Sequence, residues 1–204
     1  MKTLENTKML NDLVLDRIQR SIEVKQALLK DVTFRELVTR AALEIVRSLR
    51  AGGKVLFCGN GGSAADAQHL AAEFTGRYLK ERRALPALAL HANTSSLTAI
   101  GNDYGFEFVF ARQLEALGKE GDVAVGISTS GNSPNVLRAL EAAKSKSIYT
   151  VALAGKTGGK MKQLADCTIC IPSDDTPRIQ ECHILTGHLI CEIAEEMLFE
   201  PSQG

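Results

Sequence analysis

Five short apolar runs, Val55–Cys58, Ala87–Leu90, Val123–Ile127, Thr150–Leu153 and Cys167–Ile171, recur beyond the first quarter of the chain, bounded by turn-forming residues and separated by helical stretches. Runs of this length without polar alternation suit strands buried on both faces. Strands that alternate with helices pair in parallel, because each return to the sheet crosses over through a helix. The expected fold is therefore α/β: a three-layer α/β/α sandwich on a five-stranded parallel sheet, in the common strand order 2-1-3-4-5.

About 50 residues precede the first run. Leu10, Val14, Ile18 and Ile22 recur every four residues, with Leu13 and Leu28 nearby, which predicts an amphipathic helix over about 6–30. Thr33 with Glu36 three residues on has the pattern of a capping box, and Phe34, Leu37, Ala41, Ile45 and Leu49 continue from it as one stripe. That second helix is expected to stop at Gly52-Gly53, and a long final helix to cover roughly Ile179 to Leu198. With no repeat, linker or low-complexity tract, residues 1–204 are expected to form one domain, a helical extension over about 1–50 and an α/β core over about 53–204. Apolar stripes around Ile18 and Ile193 suit subunit contacts and core packing equally.

Lysine plus arginine number 24 and aspartate plus glutamate 24, a net charge of zero. That argues against a nucleic-acid partner, whose phosphates demand clustered cations, but not against a small phosphorylated ligand. No apolar run approaches a membrane span, and the N-terminus mixes acids and bases, so a cytoplasmic location is expected. Five cysteines, an odd number scattered at 58, 167, 170, 182 and 191, read as reduced thiols. Cys167 and Cys170 share a presumed strand, where an odd offset points them to opposite faces, so they make no zinc knuckle.

Gly59-Asn60-Gly61-Gly62-Ser63 lies between the first strand and a helical stretch over Ala64–Thr75. A strand, a glycine-rich turn and a helix N-terminus make an anion site, since free N–H groups point outward and the helix dipole favours negative charge. Ser128-Thr129-Ser130-Gly131-Asn132-Ser133 follows the third strand and adds four hydroxyls, with Pro134 in the first turn of the next helix. In the order 2-1-3-4-5 both loops face one crevice at the topological switch point. A dinucleotide fingerprint is excluded because Leu90-His91-Ala92-Asn93 ends the second strand without an acid for the ribose. Gly155-Lys156-Thr157 lacks the earlier glycine of a phosphate-binding P-loop. His69 and Glu73 share a helix face at i, i+4, fit either to hold a metal or to act as a base and its partner. Gln180 and His188 lie eight residues apart, about 12 Å along a helix, and meet one ligand only if splayed toward it or drawn from two subunits. His183 sits on another azimuth and reads as structural.

CGNGGSA at 58–64, AQHLAAEFTGR at 67–77, GND at 101–103, GISTSGNS at 126–133 and RIQECH at 178–183 with His188 together resemble the sugar isomerase (SIS) domain family, and within it the branch that isomerises a heptose phosphate. The resemblance covers nearly the whole chain. It implies a homotetramer with active sites between subunits and one zinc ion per subunit. It implies an aldose–ketose isomerase that converts D-sedoheptulose 7-phosphate to D-glycero-D-manno-heptose 7-phosphate through a cis-enediol, the first step of ADP-heptose synthesis for lipopolysaccharide core. Carried over by position, Asn60, Gly61, Gly62, Ser63, Glu73, Asn102, Asp103, Ser128, Thr129, Ser130, Ser133 and Gln180 would contact the sugar phosphate. His69, Glu73, Gln180 and His188 would bind zinc, and Glu73 and His188 would be base and acid. Pro177 departs from the pattern, because some members carry an acid there. The competing class is a non-enzymatic tetrameric SIS protein that binds the replication initiator or senses a sugar phosphate; its relatives lack the glutamate and the distal histidine, and this chain has both.

Overall fold

The protein is described by a computed structural model covering residues 2–199, with side chains from Asn6 onward. Helices α1 (Lys2–Lys30) and α2 (Val32–Arg50) are separated by Asp31 alone. Asp31, in extended conformation, caps α2 by accepting the Phe34 N–H at 3.1 Å. The expected Thr33–Glu36 box is thus displaced: α1 runs on until Lys30, so the chain turns at Asp31 and Thr33 falls inside the first turn.

The sheet is built from β1 (Val55–Gly59), β2 (Ala87–Ala89), β3 (Val123–Ser128), β4 (Tyr149–Ala154) and β5 (Cys167–Cys170). All pairs are parallel, in the order β2-β1-β3-β4-β5. Each strand starts and ends within one residue of the expected run. Between them lie α3 (Gly62–Thr75), α4 (Thr94–Tyr104), a 3-10 turn (Phe106–Phe108), α5 (Ala111–Leu117), α6 (Pro134–Ser145), α7 (Met161–Leu164) and α8 (Thr176–Leu198). Helix α8 begins three residues before the expected Ile179, because Asp175 stands at its N-cap and Pro177 favours the first turn.

Alternate strand residues feed two cores. Val55, Phe57, Val125, Ile127, Val151 and Ile169 pack under α2, α3 and α8. Leu56, Cys58, Ala124 and Ala152 pack with α5, α6 and Met161 of α7. Along β3 the second face reads Ala124, Gly126, Ser128, and these small residues let α6 lie close. The thiols divide as expected: all five are free, and Cys167 is buried with the first core while Cys170 points away from it. Among the described residues no helix is long and apolar enough to cross a membrane.

The two terminal stripes have different fates. Ile193 packs against the core. Leu10, Val14, Ile18 and Ile22 are each 43–58% exposed, so among the described residues that stripe of α1 is buried in no core.

Candidate active site

Gly59 pairs with Ile127 at the carboxyl ends of β1 and β3, so the chain leaves the sheet at Asn60 and at Ser128 side by side. Gly61 then adopts φ +56 and ψ −123, a conformation open to glycine alone, and turns the chain into α3. The N–H of Ser63 returns to the Asn60 carbonyl, and those of Ala64 and Ala65 to Gly61. Among the described residues the Gly62 N–H is left for a ligand. Ser63 is buried beneath Gly59 and shapes the turn from below.

The second loop folds on its own hydroxyls. Ser128 Oγ lies 2.8 Å from Ser133 Oγ and 3.3 Å from Ser130 Oγ, and the Gly131 N–H closes the turn on the Ser128 carbonyl. The Thr129 carbonyl accepts the Gly155 N–H at 3.0 Å, which anchors the loop to the end of β4. Neither N-cap, Gly61 of α3 or Ser133 of α6, gives a side-chain hydrogen bond to its helix, so both N-termini open on the crevice uncapped. Among the described residues no lysine or arginine side chain bonds to either loop. An anion here meets N–H groups, hydroxyls and two helix dipoles, in keeping with zero net charge.

Along α3 from this crevice, His69 and Glu73 face α8. Gly187 makes that approach close: a Cβ there would stand 2.5 Å from the Leu70 methyls. The neighbouring His188 therefore reaches α3, with its Nε2 3.0 Å from that of His69. His69 Nε2 is also 3.0 Å from Glu73 Oε1, and the His188 ring lies edge-on to His69 and 5.7 Å from Tyr78. The donor atoms of His69, Glu73 and His188 all fall within 4.8 Å of one another. Two imidazole nitrogens and one carboxylate oxygen are a donor set that could hold a divalent metal ion, the combination found in catalytic zinc sites that keep a fourth position open. Gln180, two turns earlier on α8, presses its carboxamide against Gly62 at the loop end of α3. A Gly62 Cβ would sit 2.5 Å from Gln180 Nε2, the movable end of a flexible side chain. Gly62→Ala is accordingly expected to cost under about 1 kcal/mol of stability while raising KM severalfold, checked by paired thermal unfolding and steady-state kinetics.

Other residues take other places. Asn102 and Asp103 end the exposed α4 bonded to each other, and among the described residues no hydrogen bond joins them to the loops. His183 is fully buried, and desolvation lowers its pKa to about 4, so it stays neutral as a packing element. Asp66, one turn before His69, has a carboxyl that burial pushes up to about 6.

Sequence reasoning missed two pairs. Asn135 in the first turn of α6 exchanges hydrogen bonds with Asn60, one in each direction at 2.8 Å. Arg82 and Glu195 form an ion pair at 2.7 Å with side chains 2% and 3% exposed. Arg82 donates to the carbonyls of Glu73, Phe74 and Gly76 at the end of α3, and Glu195 accepts the N–H groups of Tyr78, Leu79 and Lys80. One signal was available: Glu195 is a lone charge on the buried stripe formed by Ile190, Cys191 and Ala194.

The family model of the SIS domain matches residues 22–155. The phosphoheptose isomerase of Aneurinibacillus thermoaerophilus is 53% identical over 190 residues, which cover 93% of this chain and 96% of that protein. That of Rhodospirillum rubrum is 59% identical over 161 residues, covering 79% and 86%. The solved structure of phosphoheptose isomerase from Neisseria gonorrhoeae superposes with a TM-score of 0.86 at 46% identity, over 92% of this chain and 99% of the other.

Proposed function

We propose, from the premise that the chain belongs to the SIS-domain family and within it to the phosphoheptose isomerases, that it converts sedoheptulose 7-phosphate to the corresponding aldoheptose 7-phosphate, the first step toward ADP-heptose. One observation carries the reading: α3 runs from the uncharged loop at its N-terminus, where Gln180 of α8 meets Gly62, to the convergent side chains of His69, Glu73 and His188. Seven residues, about 10 Å of helix, separate Gly62 from His69. That span suits an open-chain sugar whose phosphate and carbonyl occupy opposite ends.

With the phosphate held by the Gly62 N–H and the hydroxyls of Ser128, Ser130 and Ser133, the C1–C2 end of the ketose reaches the carboxylate. Asn60 and Thr129 line the same crevice, and Gln180 meets the chain beside Gly62. Glu73 takes a proton from C1 as protonated His188 gives one to O2, which yields the cis-enediol. Glu73 then returns its proton to C2, and His188 recovers one from O1 as the C1 carbonyl forms. Protons balance over the cycle and both groups are restored. His69, whose Nε2 lies 3.0 Å from both Glu73 Oε1 and His188 Nε2, sets the spacing of the carboxylate and the second imidazole. Zinc held by His69, Glu73 and His188, with Gln180 as fourth donor only if its side chain leaves Gly62 and splays toward them, would supply Lewis acidity at the carbonyl oxygen, and Glu73 and His188 would have to leave the metal to carry protons.

Asn102 and Asp103 are assigned to a site completed by another subunit, and the exposed stripe of α1 supports a homotetramer. Five free thiols fit the cytoplasm. Incubation with sedoheptulose 7-phosphate, followed by NMR, is expected to show the aldose signals grow to an equilibrium ratio. No turnover with zinc supplied would leave only the non-catalytic reading.

A further inference from the structure

We infer that Asn135 is a positioning residue that sets the width of the phosphate crevice through Asn60. The inference rests on the proposed reading of the two loops as the phosphate site. Asn60 Nδ2 donates to Asn135 Oδ1, and Asn135 Nδ2 donates to Asn60 Oδ1, each at 2.8 Å and across 75 positions of sequence. Two opposed hydrogen bonds between planar amides close a ring, so they fix separation and rotation together, where one bond would leave a hinge. The partners sit where width matters. Asn60 is the residue just before the Gly61 turn, and Asn135 is the second residue of α6, one after Pro134. The pair therefore ties the N-terminus of α3 to that of α6, the two dipole ends that open on the crevice.

Burial makes the tie one-sided. Asn135 is 3% exposed, and among the described residues none of its side-chain bonds goes elsewhere, whereas Asn60 is only half-buried. Asn135 is thus the fixed member and Asn60 the presented one. Each amide spends one N–H and one acceptor lone pair on the ring, which leaves Asn60 one N–H directed by the pairing. Without Asn135 the Asn60 amide can turn over and present its oxygen to the anion. An uncharged clamp also suits the crevice: it holds two positive dipole ends together and adds no cation to the site and no carboxylate to repel the ligand.

The test is a double-mutant cycle read with inorganic phosphate as the titrated ligand, alongside KM, kcat and the melting midpoint for isomerisation. Asn135→Ala is expected to weaken phosphate binding and to raise KM by roughly tenfold, the order of one hydrogen bond to an anion. Saturated kcat is expected to stay within about threefold, because His69, Glu73 and His188 are held by other contacts. Asn60→Ala, which removes the presented N–H together with the linkage, is expected to weaken phosphate binding at least as much, and the double variant no more than Asn60→Ala alone, since Asn135 acts only through Asn60. Asn135→Leu keeps the side chain's size and serves as the second variant should the alanine form unfold. Phosphate affinity unchanged within twofold in both Asn135 variants, or additive losses in the double variant, would overturn the inference and leave the functional reading intact. Failure of the unmutated protein to bind phosphate would overturn both.

Discussion

Replacing Glu73 by glutamine is expected to lower kcat for heptose phosphate isomerisation by about 10²–10⁴ while the melting midpoint stays within about 2 °C of the parent. The change swaps one oxygen for an N–H₂ and removes the only carboxylate in the convergent trio, the group assigned to accept the C1 proton. The side chain is 20% exposed and bonds to His69, which an amide oxygen can still do, so packing is preserved. A loss of under tenfold, less than ~1.4 kcal/mol of barrier, would remove Glu73 from the role of base. Solvent hydrogen exchange at the transferred position separates the proton step from the rest. The variant is expected to lose exchange in proportion to turnover, and retained exchange with slow turnover would place the defect elsewhere.

The parallel sheet was legible because its signals are local. Apolar runs and the glycine-rich turns after the first and third strands sit within a few residues of the elements they define, and the strand order followed from the commonest way such units wind. The first-turn position of Pro134 was legible for the same reason. The cap of α2 was not. Asp31 and Thr33 are both good caps, and what decides between them is how far α1 runs, a property of α1 packing on α8.

The site divides along the same line. Spacing alone put His69 and Glu73 on one face of α3, but it could not bring His188 across 119 residues to lie 3.0 Å from His69. That meeting depends on Gly187 admitting Leu70, a fact about two helices at once. The resemblance to known isomerases implied the grouping, and the physical cause emerged only with the fold. Asn60 stood out because it lies in a glycine turn, while Asn135 looked like an ordinary helix-start residue until its partner was in view. The stripe of α1 shows the opposite limit: its periodicity was plain, yet whether it faces a core or another subunit is decided by where α1 is placed.

The second large effect belongs to a residue remote from the substrate. Glu195→Ala is expected to destabilise the fold by about 3–5 kcal/mol, which for a chain of this size lowers the melting midpoint by roughly 6–20 °C. Glu195 is 2% exposed and its carboxylate accepts four hydrogen bonds, from the N–H groups of Tyr78, Leu79 and Lys80 and from Arg82 Nε. Its removal strands the Arg82 guanidinium in a dry site and leaves three N–H groups without their acceptor. Burial alone would raise this carboxyl. The bonds from Lys80, Leu79, Arg82 and Tyr78 outweigh burial and hold it below its ordinary value of 4.5. A carboxyl so depressed contributes stability that is fully present above pH 4.5 and lost as pH falls through the lower folded value. The parent's melting midpoint should therefore drop on acidification below about pH 4.5 more steeply than that of Glu195→Ala. Because Arg82 also binds the Glu73 carbonyl at 2.7 Å, the clamp holds the end of α3 that carries the base. Activity per folded molecule should fall in Glu195→Ala as well. Replacing both partners with methionine should restore part of the lost stability, since no unpaired charge is then left buried. A midpoint for Glu195→Ala within 2 °C of the parent, measured by calorimetry at neutral pH, would show that the pair carries no such load.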